Sequence, residues 1–455
     1  MAGSSELNIS AEDYSLLTDL YELTMVACYS GEALAERPAS FELFVRHLPP
    51  DFGYLIAMGL AQVLDYLEKL HFTPPQLEAL RQTGIFDHAP PQFWSLLAAG
   101  RFSGDVWAVP EGTAVFANEP LLRVDAPFWQ AQLVETYILN TINYQTLIAT
   151  RAARMRDVAG DGAKLLEFGT RRAFSPQGAL WAARAALAGG MDSTSNVLAA
   201  LQLGCKPSGT MAHSLVMAIR AIAGTEDDAF HAFQHYFPSA TLLIDTYDTV
   251  AAAERLAAEI QAGEIKVTGV RLDSGDLGEL SRSVRSLLPE VAIIASGDLD
   301  EWEIRRLREG GACIDGYGIG TRLVTGVPVN GVYKLVEIDG IPTMKQSSKK
   351  ATYPGRKQVF RRLKEGQIES ERLGLADETA NSGEIPLLEP IIEGGKRLRP
   401  PETLSAIQQR TRAAVTSLPL ETRLLDKPVE IVAKVSEDLA ALHHSWLEHN
   451  STDSY

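Results

Sequence analysis

The sequence predicts an α/β fold in which an irregular βα barrel is joined to an additional α+β domain. Between residues 164 and 319, short apolar runs alternate with helical stretches at intervals of roughly twenty to thirty residues, which is typical of βα units on a parallel sheet. A polar, glycine-containing motif follows most of these runs, and so many contributing strands favour a barrel over an open sheet. Residues 102–125 differ, because their short runs broken by Gly, Pro and Asn indicate antiparallel strands.

The first predicted domain covers residues 1–140. Apolar residues recur with helical spacing over 14–33, and the segment FELFVRHLP (41–49) is typical of a strand. The segment GYLIAMGLAQVLDYLEKL (53–70) predicts a helix, and 102–125 completes an α+β domain.

The predicted barrel covers residues 141–325, after a helical pattern that begins at 130 and ends near 159. Its clearest strands are KLLEF (164–168), TLLID (241–245), IKVTGVRL (265–272), VAIIAS (291–296) and CIDGYGI (313–319). Its clearest helices are TVAAAERLAAEIQAG (249–263) and DEWEIRRLREGG (300–311).

The third predicted domain, 326–455, consists of β hairpins, a linker and a terminal helix, and we expect it to pack on the first domain. Residues 329–347 predict a hairpin and 350–363 a cationic strand, whereas Pro, Gly and charge indicate a linker over 381–401. An amphipathic helix is predicted near 431–448. The lysines and arginine of 345–357 either reach a phosphate or form a solvated strand face.

The charge and apolar content exclude several classes of protein. A net charge of −16 provides no basic field for nucleic acid or an anionic membrane, and no apolar run approaches the roughly 20 residues of a transmembrane helix. The amino terminus lacks the pattern of a secretory signal, so we expect a cytoplasmic protein. Cys28, Cys205 and Cys313 have no metal-type spacing, and we expect them to be reduced and buried.

Two motifs carry candidate groups for a flat anionic substrate and for group transfer. In EFGTRR, Phe168 can stack on a ring while Arg171 or Arg172 pairs with a carboxylate or phosphate, although a core Phe beside two solvated arginines is equally compatible. In GTMAHS, His213 can act as a nucleophile or a base next to a helix amino terminus. A structural histidine, or a helix capped by Ser214, fits that motif equally well.

Acidic residues follow two further strands, in DTYDT and VRLDSGD. Carboxylates here can bind Mg²⁺ or ribose hydroxyls and stabilise a cationic carbon, while an arginine can bind diphosphate. The alternative role is helix capping, which we expect in part for Asp248 and Asp276. We expect the remaining three, Asp245, Arg271 and Asp273, to face the site.

Two glycine-containing loops, ASGDLDE and GYGIGTR, suit a phosphate site. Glycine allows backbone amides to approach an anion closely, although either loop alone also reads as an ordinary turn. The candidate residues are Gly297, Asp298, Gly318 and Gly320.

The order of these motifs resembles the nicotinate phosphoribosyltransferase family, whose fold is of the type II phosphoribosyltransferase kind. The resemblance extends from about residue 17 (LLTDLYELTM) to 360 (PGRKQVF). It includes FSGDVWAVPEGTAVFANEPLL, EFGTRRA, SPQGAL, STSNVLAA, GTMAHS, VRLDSGDL, ASGDLDE and GIGTRLVT. The resemblance implies condensation of nicotinate with 5-phosphoribosyl 1-diphosphate to nicotinate mononucleotide, coupled to ATP hydrolysis, as the first step of NAD synthesis from nicotinate.

The resemblance also implies a role for each matching residue. His213 corresponds to the histidine that ATP phosphorylates, and Phe168 and Arg171 correspond to the groups that stack on the pyridine and pair with its carboxylate. Tyr21, oriented with the help of Asp19, corresponds to a tyrosine supplied by the neighbouring subunit of a homodimer. The implied donor site contains Arg271 and Asp273, Asp245 close to Mg²⁺, the glycine loops with Gly297, Asp298, Gly318 and Gly320, and Arg322.

Three alternative functions fit the sequence less well. Relatives that use nicotinamide typically carry an aspartate at the position of Ser195, and a carboxylate there repels nicotinate. Relatives that use quinolinate are markedly shorter and need additional cations for a second carboxylate, so the length of this chain and its ATP-linked motif around His213 both disfavour that substrate. A binding protein without turnover is disfavoured because each polar candidate residue is chemically competent.

Overall fold

The computed structural model describes residue 7 and residues 9–346 and 352–451, which form two compact units. The first unit contains the described residues of Met1–Leu147 and Pro328–Tyr455, and the second is Ile148–Val327. Each unit has its own sheet and its own apolar core.

The amino-terminal part of the chain begins with a 3-10 helix, Ala11–Leu16, and continues with mixed helices and strands. In chain order these are α1 Leu20–Gly31, β1 Pro38–Val45, β2 Leu55–Ile56, α2 Leu60–Lys69, α3 Pro74–Gln82, α4 Pro91–Ala99, β3 Asp105–Ala108, β4 Ala114–Val115, β5 Pro120–Pro127, α5 Phe128–Leu133 and α6 Glu135–Ala159. The helix predicted over 53–70 therefore forms only from residue 60, because 55–56 pair with β4 as β2.

The second unit alternates strands and helices as predicted. Its elements are β6 Lys164–Glu167, α7 Pro176–Ala188, β7 Ser193–Thr194, α8 Val197–Gln202, α9 His213–Ala223, α10 Glu226–Tyr236, β8 Leu242–Leu243, α11 Thr249–Ala262, β9 Gly269–Leu272, α12 Leu277–Leu287, β10 Ala292–Ser296, α13 Glu301–Glu309, β11 Gly316–Ile319 and α14 Thr321–Val324. The five predicted strands and two predicted helices of this region are confirmed.

The six strands of the second unit form one parallel sheet in the order β7-β6-β11-β10-β9-β8. Each neighbouring pair is parallel. Strands β10 and β11 are almost entirely buried, as expected for parallel strands covered by helices. Because parallel strands end at the same edge, the loops that carry the polar motifs come together there.

The carboxyl-terminal part of the chain is mainly antiparallel β structure followed by helices. Its elements are β12 Gly331–Ile338, β13 Ile341–Pro342, β14 Lys357–Lys364, β15 Gln367–Leu375, β16 Glu384–Pro386, β17 Glu389–Glu393, β18 Lys396–Arg397, α15 Leu404–Ser417, α16 Leu420–Arg423, β19 Lys434–Val435 and α17 Glu437–Ser451. The prediction of a linker over 381–401 is wrong, because β17 pairs with β3 and β16 pairs with β14.

The main sheet of the first unit is antiparallel, in the order β13-β12-β1-β5-β3-β17-β18. Strand β1 lies near its centre and is buried over seven of its eight residues. A stack of aromatic rings, Tyr29, Phe128, Phe41 and Tyr333, joins α1, α5, β1 and β12, with ring centroids 4.0–6.0 Å apart. Such stacked rings bury a large apolar area and fix the register of the strands that carry them.

The cationic segment 345–357 is partly outside the described residues, at 347–351. Neither suggested role holds for Lys357, which is buried and lies 2.9 Å from a carboxylate oxygen of Glu42. Burial lowers the pKa of Lys357, and the Glu42 carboxylate opposes that effect. Arg356 pairs with Glu337 at 3.2 Å.

One expectation about the cysteines is also wrong. Cys28 is exposed, because it lies on the outer face of α1, whereas Cys205 and Cys313 are half-buried, and all three are free thiols. Within the described residues, no helix combines the length and the apolar character that crossing a membrane requires.

Candidate active site

A cavity of about 680 Å³ opens where the strands of the second unit end. Ten of the residues predicted from the sequence to form a site line this cavity: Phe168, Arg171, Ser195, His213, Arg271, Asp273, Gly297, Asp298, Gly318 and Gly320. They come from the loops that follow β6, β7, β9 and β10, from within β9 (Arg271), from β11 and its following residue, and from the start of α9. The fold therefore brings together groups that are up to 152 positions apart in the sequence.

The ring of Phe168 lies directly against the backbone of Gly318. A Cβ atom placed on Gly318 would be 2.6 Å from both Cδ2 and Cε2 of the ring. The backbone N–H of Phe168 donates to the carbonyl of Ile319 at 2.8 Å, which holds the start of this loop on β11. Glycine at 318 is thus required by the position of the aromatic ring.

Arg271 is held in the cavity wall by the loop before α9. Its guanidinium donates to Thr210 Oγ1 at 2.5 Å and to the carbonyl of Met211 at 3.2 Å. The Nε atom is buried and has no hydrogen-bond partner among the described residues. Burial lowers the pKa of Arg271, while Asp273 and Asp245 oppose the shift. Of the five N–H donors of this guanidinium, these two bonds use two, so donors remain for an anionic ligand in the cavity that Arg271 lines.

Asp273 and Asp245 occupy different positions relative to the cavity. Asp273 lines it and accepts a hydrogen bond from Ser296 Oγ at 2.5 Å. Asp245 is buried behind it, where Oδ2 accepts from the backbone N–H of Asp273 at 2.8 Å and from Ser274 Oγ at 2.7 Å. Asp245 consequently orients the loop that carries Asp273.

His213 is the first residue of α9 and reaches the cavity from the helix amino terminus. Its Nδ1 lies 3.0 Å from Thr246 Oγ1, in the loop after β8. A histidine whose Nδ1 is held by a hydrogen bond has a fixed ring orientation, and the helix amino terminus beside it favours an anion.

The capping roles expected for two acidic residues are confirmed. Asp248 accepts a hydrogen bond from the backbone N–H of Ala251 at the start of α11, and Asp276 accepts from Glu279 at the start of α12. Neither residue lines the cavity. Hydrogen bonding to the backbone N–H groups at the start of α12, first of all that of Glu279, lowers the pKa of Asp276.

Four of the predicted site residues do not line the cavity. Arg322 is exposed on α14, and Asp245 is buried as described above. Asp19 and Tyr21 belong to the first unit, at the start of α1, where Asp19 accepts from Thr136 Oγ1 at 2.9 Å. The side chain of Tyr21 is 44% exposed. Partial burial, with the nearby Glu22 carboxylate, raises the pKa of Tyr21.

Sequence reasoning missed three hydroxyl groups that contribute to the site. Ser296 binds Asp273, Thr210 binds Arg271, and Thr321 lines the cavity beside Gly320. All three lie within or directly beside the motifs quoted above. Their closeness to charged groups at strand ends was the available signal, but serine and threonine are so common at strand ends and helix caps that the signal is weak.

Three models of known protein families match this chain. The model of the nicotinate phosphoribosyltransferase N-terminal domain matches residues 16–143, and that of the nicotinate phosphoribosyltransferase family matches 163–365. The model of the C-terminal domain of nicotinate phosphoribosyltransferase matches residues 375–443.

The chain belongs to the nicotinate phosphoribosyltransferase family.

Relatives from distant organisms match almost the whole length of this chain. A nicotinate phosphoribosyltransferase of Mycobacterium tuberculosis is 41% identical over 95% of this chain and 94% of its own length. That of Bacillus subtilis is 39% identical over 95% of both chains, and the human enzyme is 31% identical over 98% of this chain and 99% of its own.

Solved structures confirm the predicted fold class. The crystal structure of human nicotinic acid phosphoribosyltransferase superimposes with a TM-score of 0.83 at 30% identity, covering 94% of this chain and 99% of the human one. A nicotinate-nucleotide pyrophosphorylase from Pyrococcus furiosus has the same fold, with a TM-score of 0.75 at 24% identity over 91% of this chain and 99% of its own.

Proposed function

We propose that this protein condenses nicotinate with 5-phosphoribosyl 1-diphosphate, giving nicotinate mononucleotide and diphosphate, and that ATP hydrolysis is coupled to the reaction. The product is the entry point of nicotinate into NAD synthesis. The observation that carries the proposal is that two groups of residues line one cavity. The first group is an aromatic ring with arginines, and the second is Arg271 and Asp273 with the glycine loops. The names of the relatives support the same substrates.

The pyridine half of the proposed site consists of Phe168, Arg171 and Ser195. The Phe168 ring provides a flat face for stacking, and a guanidinium can bind a carboxylate through two parallel hydrogen bonds. Ser195 lines the same cavity without adding negative charge. This combination favours the anionic acid over its neutral amide.

The donor half consists of Arg271, Asp273 and the glycine loops. The pyridine nitrogen attacks C1 of the ribose while the bond from C1 to the diphosphate oxygen breaks, so positive charge develops on the sugar and negative charge on the leaving group. Asp273 stabilises the first charge and Arg271 the second. Gly297, Gly318 and Gly320 allow close approach of the ribose and its 5-phosphate, and Asp298 binds ribose hydroxyls.

ATP coupling is assigned to His213, the histidine at the amino terminus of α9. In this proposal an imidazole nitrogen attacks the γ-phosphorus of ATP, ADP leaves, and the phosphohistidine is later hydrolysed to inorganic phosphate. Thr246 holds the ring in place through Nδ1. Phosphorylation places negative charge at the helix amino terminus, where it is favoured, and so stabilises a closed donor site.

Magnesium is proposed to accompany the diphosphate and phosphate groups of the substrates. The described residues contain no cluster of three or more His, Cys, Asp or Glu suited to a metal ion. Mg²⁺ commonly keeps one or two carboxylates together with substrate phosphates and water, which fits this donor set. The unpartnered, buried Oδ1 of Asp245 and the carboxylate of Asp273 are the groups that would hold it, and the ion would neutralise the leaving diphosphate.

A homodimer with shared sites is part of the same proposal, with Tyr21 of one subunit covering the pyridine in the cavity of the other. Leu20 and Tyr21 expose their side chains at the start of α1. The second unit also exposes an unusual number of large apolar side chains on and beside α8, α9 and α10: Val197, Leu198, Leu201, Met217, Ile222, Tyr236 and Phe237. Exposed apolar side chains on neighbouring elements support the proposal of an interface.

The proposed function is tested by supplying the phosphoribosyl donor and Mg²⁺ with nicotinate, nicotinamide or quinolinate, with and without ATP. Of the three compounds, we expect only nicotinate to be converted to its mononucleotide, and we expect a higher yield when ATP is present. Turnover of nicotinamide in place of nicotinate would overturn the roles of Arg171 and Ser195, while the donor site would stand. If none of the three compounds were turned over, a binding protein would be favoured.

A further inference from the structure

Glu167, the last residue of β6, is a buried carboxylate directly before Phe168 and has no role in the reaction as proposed above. Its side chain is 1% exposed. Burial raises its pKa, and hydrogen bonds from Thr194 and Gly169 oppose the shift. A buried carboxylate is costly to maintain, so its contacts indicate what it stabilises.

The two carboxylate oxygens of Glu167 bind two different loops. Oε1 accepts from the backbone N–H of Gly169, in the loop after β6, and Oε2 accepts from the hydroxyl of Thr194, at the end of β7. The backbone carbonyl of Glu167 also accepts from the N–H of Ser195 at 2.9 Å. Two of these three hydrogen bonds, from Thr194 and Ser195, join the ends of β6 and β7, and the third holds the loop after β6.

The surroundings of Glu167 are built for this connection. A Cβ on Gly169 would lie 2.9 Å from Oε1 and 2.3 Å from Val324, so only glycine lets the loop come this close. On the other side, Thr194 Oγ1 accepts from the N–H of Asn196 at 2.9 Å, which extends the network to the start of α8. A network in which each member is bonded is rigid and specifies one arrangement.

We infer that Glu167 and Thr194 form a clamp that positions the pyridine half of the site, independently of the donor half. The loops they join carry Phe168, Arg171 and Ser195, whereas Arg271 lies in β9 and Asp273 directly follows it. Strand β9 is separated from β6 in the sheet by β11 and β10. Glu167 is thus a positioning residue for nicotinate. The inference rests on the proposed function for the identity of that ligand.

Asp192 provides a matched control, because it joins the same two strands at their other ends. Its carboxylate accepts from the backbone N–H of Leu165 at 2.7 Å and from Arg156 at 2.6 Å. It does not line the cavity. A variant at Asp192 therefore weakens the β6–β7 connection without touching the loops that bind substrate.

The test compares Glu167→Ala, Glu167→Gln, Thr194→Val and Asp192→Ala by steady-state kinetics and by hydrogen exchange measured by mass spectrometry. Losing a buried bond to a charged group is expected to raise the KM for nicotinate about tenfold in Glu167→Ala, with less than about a threefold change in the KM for the donor. Glu167→Gln, which keeps an acceptor for Gly169, is expected to recover part of the loss. Asp192→Ala is expected to lower the melting temperature and leave both KM values unchanged.

Hydrogen exchange separates this inference from the proposed function. In Glu167→Ala, peptides covering 168–173 and 193–199 are expected to exchange faster, whether or not the protein turns over nicotinate. If the wild-type protein did not use nicotinate, the proposed function would be wrong. The exchange result would then still test whether Glu167 holds the two loops together. The clamp would be overturned if Glu167→Ala raised the KM values for both substrates equally, or if exchange were unchanged in both peptides. It would also be overturned if Asp192→Ala changed the KM for nicotinate as much as Glu167→Ala does.

Discussion

The ring of Phe168 rests on the Cα atom of Gly318, with no room for a methyl group between them. Substitution of Gly318 by Ala therefore must displace the ring, because the added Cβ would lie 2.6 Å from two ring carbons. We expect Gly318→Ala to raise the KM for nicotinate roughly tenfold or more, since a displaced platform loses its stacking contact. Gly162→Ala is the control, because its added Cβ meets nothing within 4 Å. Similar kinetics for the two variants would contradict the assigned role of Phe168.

Arg171→Ala is expected to weaken nicotinate far more than the phosphoribosyl donor. Only nicotinate loses a charge-assisted pair, which is worth about 1.5–3 kcal/mol. Arg171→Lys keeps the charge but not the planar fork, and its affinity for nicotinate is expected to lie between those of wild type and Arg171→Ala. Isothermal titration with each substrate separately measures the effect. Equal losses for both substrates would move Arg171 to the phosphate side of the cavity.

His213→Ala is expected to abolish the dependence of product yield on ATP and to leave slow synthesis without ATP. The reason is that the variant has no imidazole to accept the phosphoryl group, while the groups around the pyridine and the donor are intact. Transfer of label from γ-³²P-ATP to the protein, followed by product yield with and without ATP, measures both steps. Normal coupling in this variant would remove His213 from its role. Thr246→Val, which loses only the Nδ1 contact of 3.0 Å, is expected to reduce the labelling rate without abolishing it.

Mixed dimers test whether sites are shared between subunits. Tyr21→Ala and Arg271→Ala are each expected to be nearly inactive alone. If Tyr21 serves the partner's cavity, a dimer with one subunit of each kind contains one intact site and one doubly defective site. An equal mixture after subunit exchange is then expected to regain about a quarter of the wild-type activity, because half of the dimers are mixed. No recovery would contradict the shared site.

Glu22 gives a prediction for stability against pH. Burial raises the pKa of this carboxyl to about 7, opposed by a hydrogen bond from Gln132 and increased by Glu135. Since the folded pKa is above the unfolded value of about 4.5, the favourable contribution is complete below pH 4.5 and is lost as the pH rises to 7. Glu22→Gln is expected to gain on the order of 1–3 kcal/mol relative to wild type at pH 8 and much less at pH 5. Urea denaturation at both pH values measures it, and an equal difference at both would contradict the buried, protonated carboxyl.

The sequence was most informative where local chemistry and strand ends coincide. The parallel strands after residue 160, the caps Asp248 and Asp276, and ten cavity residues could be predicted because each depends on a short segment and on one rule about strand ends. The fold then required only that parallel strands end at one edge.

What the sequence did not reveal depends on pairs that are distant along the chain. Residues 381–401 were predicted to be a loop or linker because they are rich in Pro, Gly and charge, yet β17 is stabilised by β3, far away in the sequence. The contacts of Glu167 are of the same kind, since nothing local to EFGTRR indicates that the Thr194 hydroxyl donates a hydrogen bond to its carboxylate. The sequence left Lys357 as either a phosphate ligand or part of a solvated strand face, because its partner, Glu42, belongs to another strand in a distant part of the chain.

The central position of β1 in the main sheet has a consequence for synthesis on the ribosome. Strand β1 is made early, but one of its two neighbours, β12, begins only at Gly331. One edge of an apolar strand must therefore remain unpaired while the whole of 148–327 is translated, and an open strand edge invites association with other chains. Residues 148–327 form a contiguous compact unit that needs no later segment to complete its sheet. The unit that contains the candidate site can thus be assembled first, and we expect the amino-terminal 147 residues to be the part of the nascent chain that is most prone to association.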